Sequence, residues 1–301
     1  EHYPIVGSCL LRAIEEVLGK EIATPEVIAA WGAAYQQLAD ILIGAEGDIY
    51  AEKEAAHGGW RGARDFKLVQ RIEESSEIVS FYFAPLDGGA ILKAEPGQYI
   101  GLQLFIDGQE QRRNYSLSAL SDNGQYRISV KREAGGKVSN YLHEQLAEGD
   151  TLKLFPPSGQ FTLNTNDKPL VLISGGVGIT PTLPMLEAAL GSGRVVHFIH
   201  CARNGAVHAF RGWVDELAAR HPQLKHFYCY AEDDGVSAPA DAVGLLTADQ
   251  LAQWLPEERD VDAYFLGPKG FMAIIKRHLK SLGVPEKQSR YEFFGPASSL
   301  E

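Results

Sequence analysis

The alternation of apolar strands with helices in the second half of the chain is the feature that most constrains the fold. From about Asp167 onward, each short run of Val, Ile, Leu and Phe precedes a segment with helical apolar spacing. The predicted strands are 170–174, 195–200, 226–231, 263–266 and 291–294. The predicted helices are 181–190, 209–220, 247–255 and 271–282. This pattern predicts a parallel, doubly wound α/β sheet, which binds ligands at the carboxyl ends of its strands.

A glycine-rich turn directly follows the first of these strands. Its glycines let the backbone turn tightly and approach a ligand closely. Thr180 is suited to cap the next helix and Pro181 to start it, so the turn suits a dinucleotide pyrophosphate. The candidate nucleotide-binding residues are Gly176, Val177, Gly178, Ile179, Thr180 and Pro181. The turn lacks the G-x-G-x-x-G fingerprint, and alone it also fits an ordinary strand-to-helix turn.

Residues 57–165 carry short strands separated by turn residues. The helical pattern of the preceding segment breaks at His57-Gly58-Gly59-Trp60. The predicted strands are 66–69, 78–83, 99–105, 114–117, 126–131 and 151–155, and one helix is predicted at 138–146. Six short strands with one inserted helix predict a small antiparallel β-barrel.

Two segments of this barrel are candidates for a cofactor site. Around the fourth strand, an aromatic ring can pack along a flat heterocycle and a guanidinium can fork onto a phosphate. These candidates are Tyr99, Arg113, Asn114, Tyr115 and Ser116. Next to the inserted helix, free backbone N–H groups suit a pyrophosphate, with Gly136, Val138 and Ser139 as candidates. An Arg-x-Tyr-Ser tetrapeptide alone also occurs in ordinary edge strands.

Residues 1–56 are predicted to be helical. One apolar face ends at Gly19, and a second helix is predicted to start at Thr24 and Pro25. Two helices cannot bury such long apolar faces on each other alone, so we interpret the segment as the end of a larger helical domain. The absence of an initial Met leads to the same expectation, that the chain begins inside a longer protein.

Composition narrows the functional classes. The net charge of −11 argues against nucleic-acid binding, which needs a basic face. The three cysteines, Cys9, Cys201 and Cys229, lack the spacing of a metal site or redox motif, and we expect buried free thiols in a reducing compartment. No metal ligand set is predicted. No apolar run approaches the roughly 18 residues of a membrane span, and a cytoplasmic location is expected.

Four motifs resemble the ferredoxin reductase superfamily. The flavin-binding signature of that superfamily is similar to Arg113-x-Tyr115-Ser116 followed by Gly136-x-Val138-Ser139-x-x-Leu142. Its nicotinamide-nucleotide motifs are similar to Gly176-x-Gly178-x-Thr180-Pro181 and to Gly267-Pro268-x-Gly270-Phe271-Met272. The resemblance implies FAD, with the tyrosine on the isoalloxazine, the arginine and the glycine-led helix on the pyrophosphate, and the serine near flavin N5. It also implies NADH or NADPH at the other two motifs.

The same resemblance covers the end of the chain. From composition alone, residues 291–296 complete the sheet as a terminal strand, and an aromatic pair is more often core than cofactor site. The resemblance implies that Phe294 covers the nicotinamide-facing side of the flavin, that Glu292 tunes the flavin potential, and that Phe293, Gly295 and Pro296 lie beside them. One departure is clear, because Leu266 occupies the place of the usual Cys before Gly267, and we expect slower hydride transfer.

The complete order of segments resembles the flavohaemoglobins, the bacterial and fungal nitric oxide dioxygenases. Local matches outside the reductase are Glu1-x-Tyr3-x-Ile5-Val6-Gly7, Ala30-Trp31-Gly32-x-Ala34-Tyr35, Glu46 ahead of Ile49-Tyr50, and Gly58-Gly59-Trp60. The resemblance implies three domains, the C-terminal part of a globin at 1–56, an FAD-binding barrel at 57–165 and an NAD(P)-binding domain at 166–301. It also implies that Tyr3 and Glu46 hydrogen-bond the proximal haem histidine. On residue type alone, both would be solvated or capping groups.

That histidine and the distal Tyr and Gln belong to a part of the family's sequence before Glu1, and His2 does not occupy the place of the ligand. Haem b is therefore expected only in the full-length protein. The predicted activity is transfer of electrons from NAD(P)H through FAD to haem, with oxidation of nitric oxide to nitrate by O2. No obligate protein partner is expected. Two alternatives stay open, a flavin reductase for another acceptor and a non-catalytic O2 or nitric oxide sensor.

The acidic run Glu232-Asp233-Asp234 favours NADH over NADPH, because it would repel a 2′-phosphate.

Overall fold

The structure is a computed structural model that describes residues 2–295 and residue 300. It forms two compact units, with the division between Ala56 and His57. The first unit consists of the helices α1 (Tyr3–Leu18) and α2 (Pro25–Ala55). The predicted limits are confirmed, since Gly19 ends α1 at a φ of 75° and the Thr24 hydroxyl caps α2 by accepting from the Val27 N–H at 3.4 Å.

Both helices carry large apolar side chains that their mutual packing does not cover. Val17 is 82%, Ile41 63% and Ile5 61% exposed. The expectation that two helices cannot bury their apolar faces on each other is therefore met within this unit. No helix among the described residues is long and apolar enough to cross a membrane.

The second unit begins with the six-stranded antiparallel barrel. Its strands are β1 (Arg64–Glu73), β2 (Ile78–Pro85), β3 (Tyr99–Ile106), β4 (Gln109–Ser116), β5 (Tyr126–Lys131) and β6 (Thr151–Leu154), in the order β4-β3-β6-β1-β2-β5. The helix α3 (Lys137–Glu144) follows β5. The ends of the edge strands are joined by a bridge between Leu117 and Ile128, where the Ser118 N–H donates to the Arg127 carbonyl at 2.9 Å.

Strand β4 starts five residues before its predicted position. A two-residue turn at Asp107 and Gly108, with φ of 54° and 73°, joins it to β3. Positive φ at both central positions is typical of the tightest hairpins, and an Asp-Gly pair favours them. The polar side chains of residues 109–113 hide the strand from a search for apolar alternation.

The parallel sheet completes the second unit. Its strands are β7 (Leu170–Gly175), β8 (Val196–Ala202), β9 (Leu224–Tyr230), β10 (Ala242–Val243), β11 (Asp262–Leu266) and β12 (Ser289–Tyr291), in the order β10-β9-β8-β7-β11-β12. Its helices are α4 (Thr182–Gly191), α5 (Arg211–Arg220), α6 (Ala248–Trp254) and α7 (Lys269–Ser281). The predicted doubly wound sheet is confirmed. The two-residue β10 was not predicted.

Two details of the sequence interpretation are wrong. The last strand ends at Tyr291 and not at Phe294, because the chain leaves the sheet at Glu292 and the Phe293 ring turns edge-on to Tyr291 at 5.7 Å. Thr180 does not cap the following helix. Residues 176–179 form a turn of 3₁₀ helix, so Thr180 already has helical dihedrals, and its hydroxyl donates to the Val177 carbonyl at 3.0 Å.

A buried ion pair fixes the segment that connects barrel and sheet. The Arg194 guanidinium lies 2.8 Å from the Asp262 carboxylate, and both side chains are 3% exposed. Arg194 also donates to the Asn164 carbonyl and to the Asn166 side chain, each at 3.0 Å. One guanidinium therefore holds the connecting segment against β11.

Candidate functional site

A cleft of about 630 Å³ opens at the carboxyl ends of β7, β8, β9 and β11. The strand order reverses its direction between β7 and β11, and doubly wound sheets bind their ligands at such a point. The predicted residues Gly176, Val177, Gly178 and Gly267 line this cleft. The sequence therefore located the carboxyl-end cleft correctly.

The two glycine turns meet at the floor of the cleft. A Cβ on Gly178 would lie 2.5 Å from the Leu266 carbonyl oxygen, and a Cβ on Gly267 would lie 3.2 Å from the Gly175 Cα. Contacts under 3 Å between a Cβ and backbone cannot form without displacement of the chain. Glycine at position 178 thus lets the turn after β7 pack directly on the end of β11.

The other predicted residues of the first turn lie deeper. Ile179 and Thr180 are 0% and 2% exposed, and Pro181 is buried with them. These three buried residues support the turn and are not among the residues that line the cleft.

The end of the chain closes one side of the cleft. Phe293, Phe294 and Gly295 line it, and Phe294 is 50% exposed. Burial raises the pKa of the neighbouring Glu292 carboxyl. Pro296, also a predicted site residue, lies outside the described residues.

Charged residues of the barrel form a wall of the cleft that sequence reasoning missed. Glu77 forms an ion pair with Arg203 of the segment after β8, and Lys131 lies 4.0 Å from Glu77 and 3.4 Å from Glu133. All four side chains line the cleft. Glu77 and Arg203 are 126 residues apart in the chain, and no local pattern signals their contact.

The predicted flavin residues lie on strand β4 and its neighbours. Tyr99 on β3 pairs with Ser116, and Ile100 pairs with Tyr115. Because side chains alternate along a strand, Arg113 and Tyr115 share one face while Asn114 and Ser116 share the other with Tyr99. Tyr115 packs against the barrel core, and burial raises its pKa to about 12, so its phenol stays neutral.

The start of α3 lies beside the same hairpin. The Lys137 ammonium donates to Gln109 on β4 at 3.5 Å and lies 3.7 Å from the Asp107 carboxylate. In α3, all of which is described, no acidic side chain occupies the first turn. The amide groups of that turn have no carbonyl partner within a helix, so they present an anion-binding end.

Gly136 lets the start of α3 pack closely against Ser139 and Glu133. A Cβ there would lie 2.5 Å from the Ser139 hydroxyl oxygen and 3.2 Å from the Glu133 carbonyl. Ser139 in turn accepts from the Glu133 N–H at 3.2 Å. Val138 is 3% exposed and belongs to the barrel core. The three residues predicted for this turn are thus brought together, with Val138 as its apolar anchor.

In the first unit, Tyr3 and Glu46 are in contact as a pair. The Tyr3 hydroxyl donates to the Glu46 carboxylate at 2.7 Å, although 43 residues separate them. This hydrogen bond is the main cause that raises the pKa of Tyr3. Tyr35 donates to the Tyr3 carbonyl, also at 2.7 Å, and so fixes the start of α1 against α2.

The acidic run after β9 is organised by its own loop. The Asp234 carboxylate accepts from the Ser237 N–H at 2.8 Å and from the Ser237 hydroxyl at 2.7 Å, and these bonds lower its pKa to about 2. Glu232 accepts from the Asn204 side chain at 3.1 Å. Asp234 therefore keeps its negative charge throughout the physiological pH range.

Leu266 packs into the hydrophobic core of the sheet and is 0% exposed. Leu266 is not among the residues that line the cleft.

Two cysteines do line the cleft, Cys201 on β8 and Cys229 on β9. Of the three cysteines expected to be buried, only Cys229 is, since Cys201 is half-buried and Cys9 is exposed. Within the described residues, no group of three or more His, Cys, Asp or Glu side chains is placed to hold a metal ion.

Comparison with known proteins supports both halves of this site. Residues 65–163 match the family described as Oxidoreductase FAD-binding domain, and residues 172–277 match the Oxidoreductase NAD-binding domain. Over 301 residues the chain is 79% identical to a flavohemoprotein of Pseudomonas putida and 63% identical to one of Pseudomonas aeruginosa. In both cases all of this chain and 76% of the relative are covered.

Solved structures agree. A flavohemoglobin from Malassezia yamatoensis with bound FAD and heme has a TM-score of 0.84 at 30% identity, over 98% of this chain and 75% of that chain. The flavohem-like FAD/NAD binding domain of a nitric oxide dioxygenase from Vibrio cholerae has a TM-score of 0.72 at 36% identity. It covers 78% of this chain and 100% of its own. These similarities confirm the predicted order of globin helices, antiparallel barrel and parallel sheet, and the chain belongs to the flavohemoprotein family.

Proposed function

We propose that the chain is the electron-delivering part of a nitric oxide dioxygenase, an NAD(P)H- and O2-dependent enzyme that oxidises nitric oxide to nitrate. The observation that carries the proposal is that a nucleotide cleft, a flavin-type barrel and the Tyr3–Glu46 pair occur on one chain. We propose domain limits at 56/57 and 165/166. The described residues of 1–56 then form the end of the globin domain, 57–165 the FAD domain and 166–301 the NAD domain.

The residues of the barrel fit FAD. The first turn of α3 and the Arg113 guanidinium present positive charge to a pyrophosphate. Tyr115 supplies a neutral ring, and Ser116, which is 9% exposed, supplies a hydroxyl at the end of β4. When bound, FAD supplies the exchange between a two-electron hydride donor and a one-electron acceptor.

The residues of the sheet fit a nicotinamide nucleotide. The turn at Gly176–Ile179 lets a pyrophosphate approach the backbone. Gly267 has no side chain either, so the neighbouring turn does not block that approach. Phe294 offers a flat, half-exposed face at the edge of the cleft, and Glu292 presents a carboxyl whose pKa burial raises. The protein contributes binding, orientation and exclusion of water, which are the terms that position reactants.

The haem-side role rests on Tyr3 and Glu46. A phenol that donates to a carboxylate at 2.7 Å is a fixed polar pair. Such a pair could accept the N–H of a haem-ligating histidine and raise its basicity. The pair lies within the helical unit and needs no contribution from the reductase.

The test is nitric oxide consumption by the full-length, haem-loaded protein with NADH and O2. Tyr3→Phe removes the hydroxyl of the pair, and we expect it to slow nitric oxide turnover by about tenfold or more, the range seen when partners of a metal ligand are lost. Electron transfer from NADH to ferricyanide should stay unchanged, because the change lies outside the reductase unit.

The alternatives predict other results for the same measurements. Turnover with ferricyanide alone, with no nitric oxide consumption by the haem-loaded protein, indicates a reductase for another acceptor. Ligand binding at haem with no NADH oxidation indicates a sensor. Either outcome would contradict the dioxygenase proposal.

We propose NADH as the preferred nucleotide. Glu232 and Asp234 follow β9 directly after Ala231, which lines the cleft, and we expect their negative charges to repel a 2′-phosphate bound there. Glu232→Gln is expected to narrow the preference for NADH over NADPH by about fivefold, as removal of one repulsive charge near a phosphate implies. The matched control is Asp167→Asn, which removes one exposed charge before the start of β7, at the opposite end of that strand from the cleft, and should leave the preference unchanged. Asp234 is left intact because its carboxylate holds the loop. Equal kcat/KM for both nucleotides in the unchanged chain would contradict the proposal.

We further propose a cytoplasmic location. It is supported by three free cysteines, which suit a reducing compartment, and by the use of a reduced nicotinamide nucleotide. Small molecules (the nucleotide, O2 and nitric oxide) are the proposed partners, and no nucleic-acid or obligate protein partner is needed for the steps described.

A further inference from the structure

Two thiols lie side by side at the floor of the nucleotide cleft. Cys201 on β8 and Cys229 on β9 are register partners in neighbouring parallel strands. Both line the cleft, and both are free. Register partners in a sheet point to the same face, so the two sulfur atoms share one site.

The two side chains belong to one hydrophobic cluster, with Cys229 in its buried part and Cys201 packed against it. Hydrogen bonding between them raises the pKa of Cys201 and lowers that of Cys229. The Cys229 thiol donates onward to the Gly244 carbonyl at 3.4 Å. Cys229 is 2% exposed, whereas Cys201 is half-buried, and both residues line the cleft. A small oxidant that enters the cleft can therefore reach the pair.

We propose that Cys201 and Cys229 form a redox-active dithiol site that closes to a disulfide and competes with nicotinamide nucleotide for the cleft. The oxidant is a peroxide. One thiol is oxidised to a sulfenic acid as the peroxide is reduced, with release of one water. The second thiol then attacks that sulfur, the S–S bond forms, and a second water leaves. A dithiol reductant restores the pair.

The geometry of the sheet permits the bond. Neighbouring strands are about 4.7–4.9 Å apart, within the roughly 4.4–6.8 Å that a disulfide requires between Cα atoms. A disulfide also needs the Cβ atoms about 3.5–4.5 Å apart, so the ends of β8 and β9 must draw together slightly. No large rearrangement of the backbone is needed.

Closure and nucleotide binding oppose each other because they involve the same segments. Ala202 and Arg203 follow Cys201, Ala231 follows Cys229, and all three line the cleft. Movement of the strand ends displaces these segments. A bound nucleotide in turn covers the thiols. Linkage requires the two effects to be reciprocal. This inference rests on the proposed function, since the competing ligand is the nucleotide.

The experiment uses the FAD-loaded chain in a Cys9→Ser background, which removes the exposed thiol. Hydrogen peroxide is expected to remove both remaining thiols together, with loss of two hydrogens from the intact mass and recovery by dithiothreitol. NAD⁺ at ten times its Kd should slow the loss about tenfold, because only the free cleft reacts. The oxidised chain should need about fivefold more NADH, or more, for half-maximal flavin reduction.

The control is Cys201→Ser in the same background, an exchange of similar size at the half-buried position. It should form no intramolecular disulfide, and its response to NADH should not change after peroxide. The proposal is overturned if the thiols are oxidised singly with gain of oxygen, or if NAD⁺ gives no protection. Thiol counts and masses do not depend on activity. An untreated chain that NADH fails to reduce therefore contradicts the proposed function and leaves the disulfide result readable.

Discussion

Gly178→Ala is expected to lower NADH-driven flavin reduction by about a hundredfold, the cost of misplacing reactants by about 1 Å. The added Cβ would lie 2.5 Å from the Leu266 carbonyl oxygen and 2.6 Å from its carbon. Both are backbone atoms at the end of a central strand, so the turn after β7 must rise into the cleft instead. Stopped-flow measurement of flavin reduction against NADH concentration tests this.

The flavin itself should stay bound, because the nearest atoms to the added Cβ belong to Leu266 and Gly267 and not to β4 or α3. Gly212→Ala in α5 is the control, because Gly212 is exposed and is not among the residues that line the cleft. A Cβ there meets nothing within 4 Å, and Gly212 is already helical. Alanine should therefore keep full activity and add up to about 1 kcal/mol of stability. Wild-type kinetics in Gly178→Ala would show that the close approach of the two turns is not needed.

Arg194→Met is expected to cost about 3–5 kcal/mol of unfolding free energy, the usual effect of leaving one partner of a buried ion pair uncompensated. Asp262 is 2% exposed and would lose its charged partner. The connecting segment at Asn164 and Asn166 would lose its hydrogen-bond donor as well. Urea denaturation followed by Trp fluorescence measures the change.

Lys168→Met is the control at a neighbouring position. Lys168 pairs with Asp260 at 2.6 Å, but the two side chains are 36% and 64% exposed. Loss of such a surface pair costs less than about 1 kcal/mol. The double variant Arg194→Met with Asp262→Asn should be less destabilised than the sum of its single changes, because no unpaired charge remains. Additive losses would indicate that the pair itself contributes little.

Local signals in the sequence predicted most of the architecture. Thr24 and Pro25 start α2, and Thr247 starts α6 with a reciprocal capping box to Gln250, because caps act within a few residues. The predictions of strands followed the apolar pattern of the sequence, and this pattern was wrong in two places. The aromatic residues after Tyr291 were taken for strand, and the polar strand after Gly108 was overlooked.

Contacts between distant segments were beyond reach of local patterns. A shared role for Tyr3 and Glu46 was expected only from a family resemblance, since neither residue has an unusual neighbourhood in sequence, and the hydrogen bond between them was not predicted. The charged wall of Glu77 and Arg203 and the pairing of Cys201 with Cys229 depend on strand order and register. Cys201 and Cys229 are 28 residues apart in the sequence, and only the pairing of β8 with β9 brings them together.

The charged wall has a consequence for cohesion. Glu77 and Lys131 belong to the barrel, whereas Arg203 follows a strand of the parallel sheet, so a ligand in the cleft touches both bodies at once. A molecule that binds only when the barrel and the parallel sheet are packed together stabilises that packing by its binding free energy. A bound nucleotide therefore stabilises the association of the barrel with the parallel sheet, in addition to donating electrons. The two bodies are held together most strongly when the cleft is occupied.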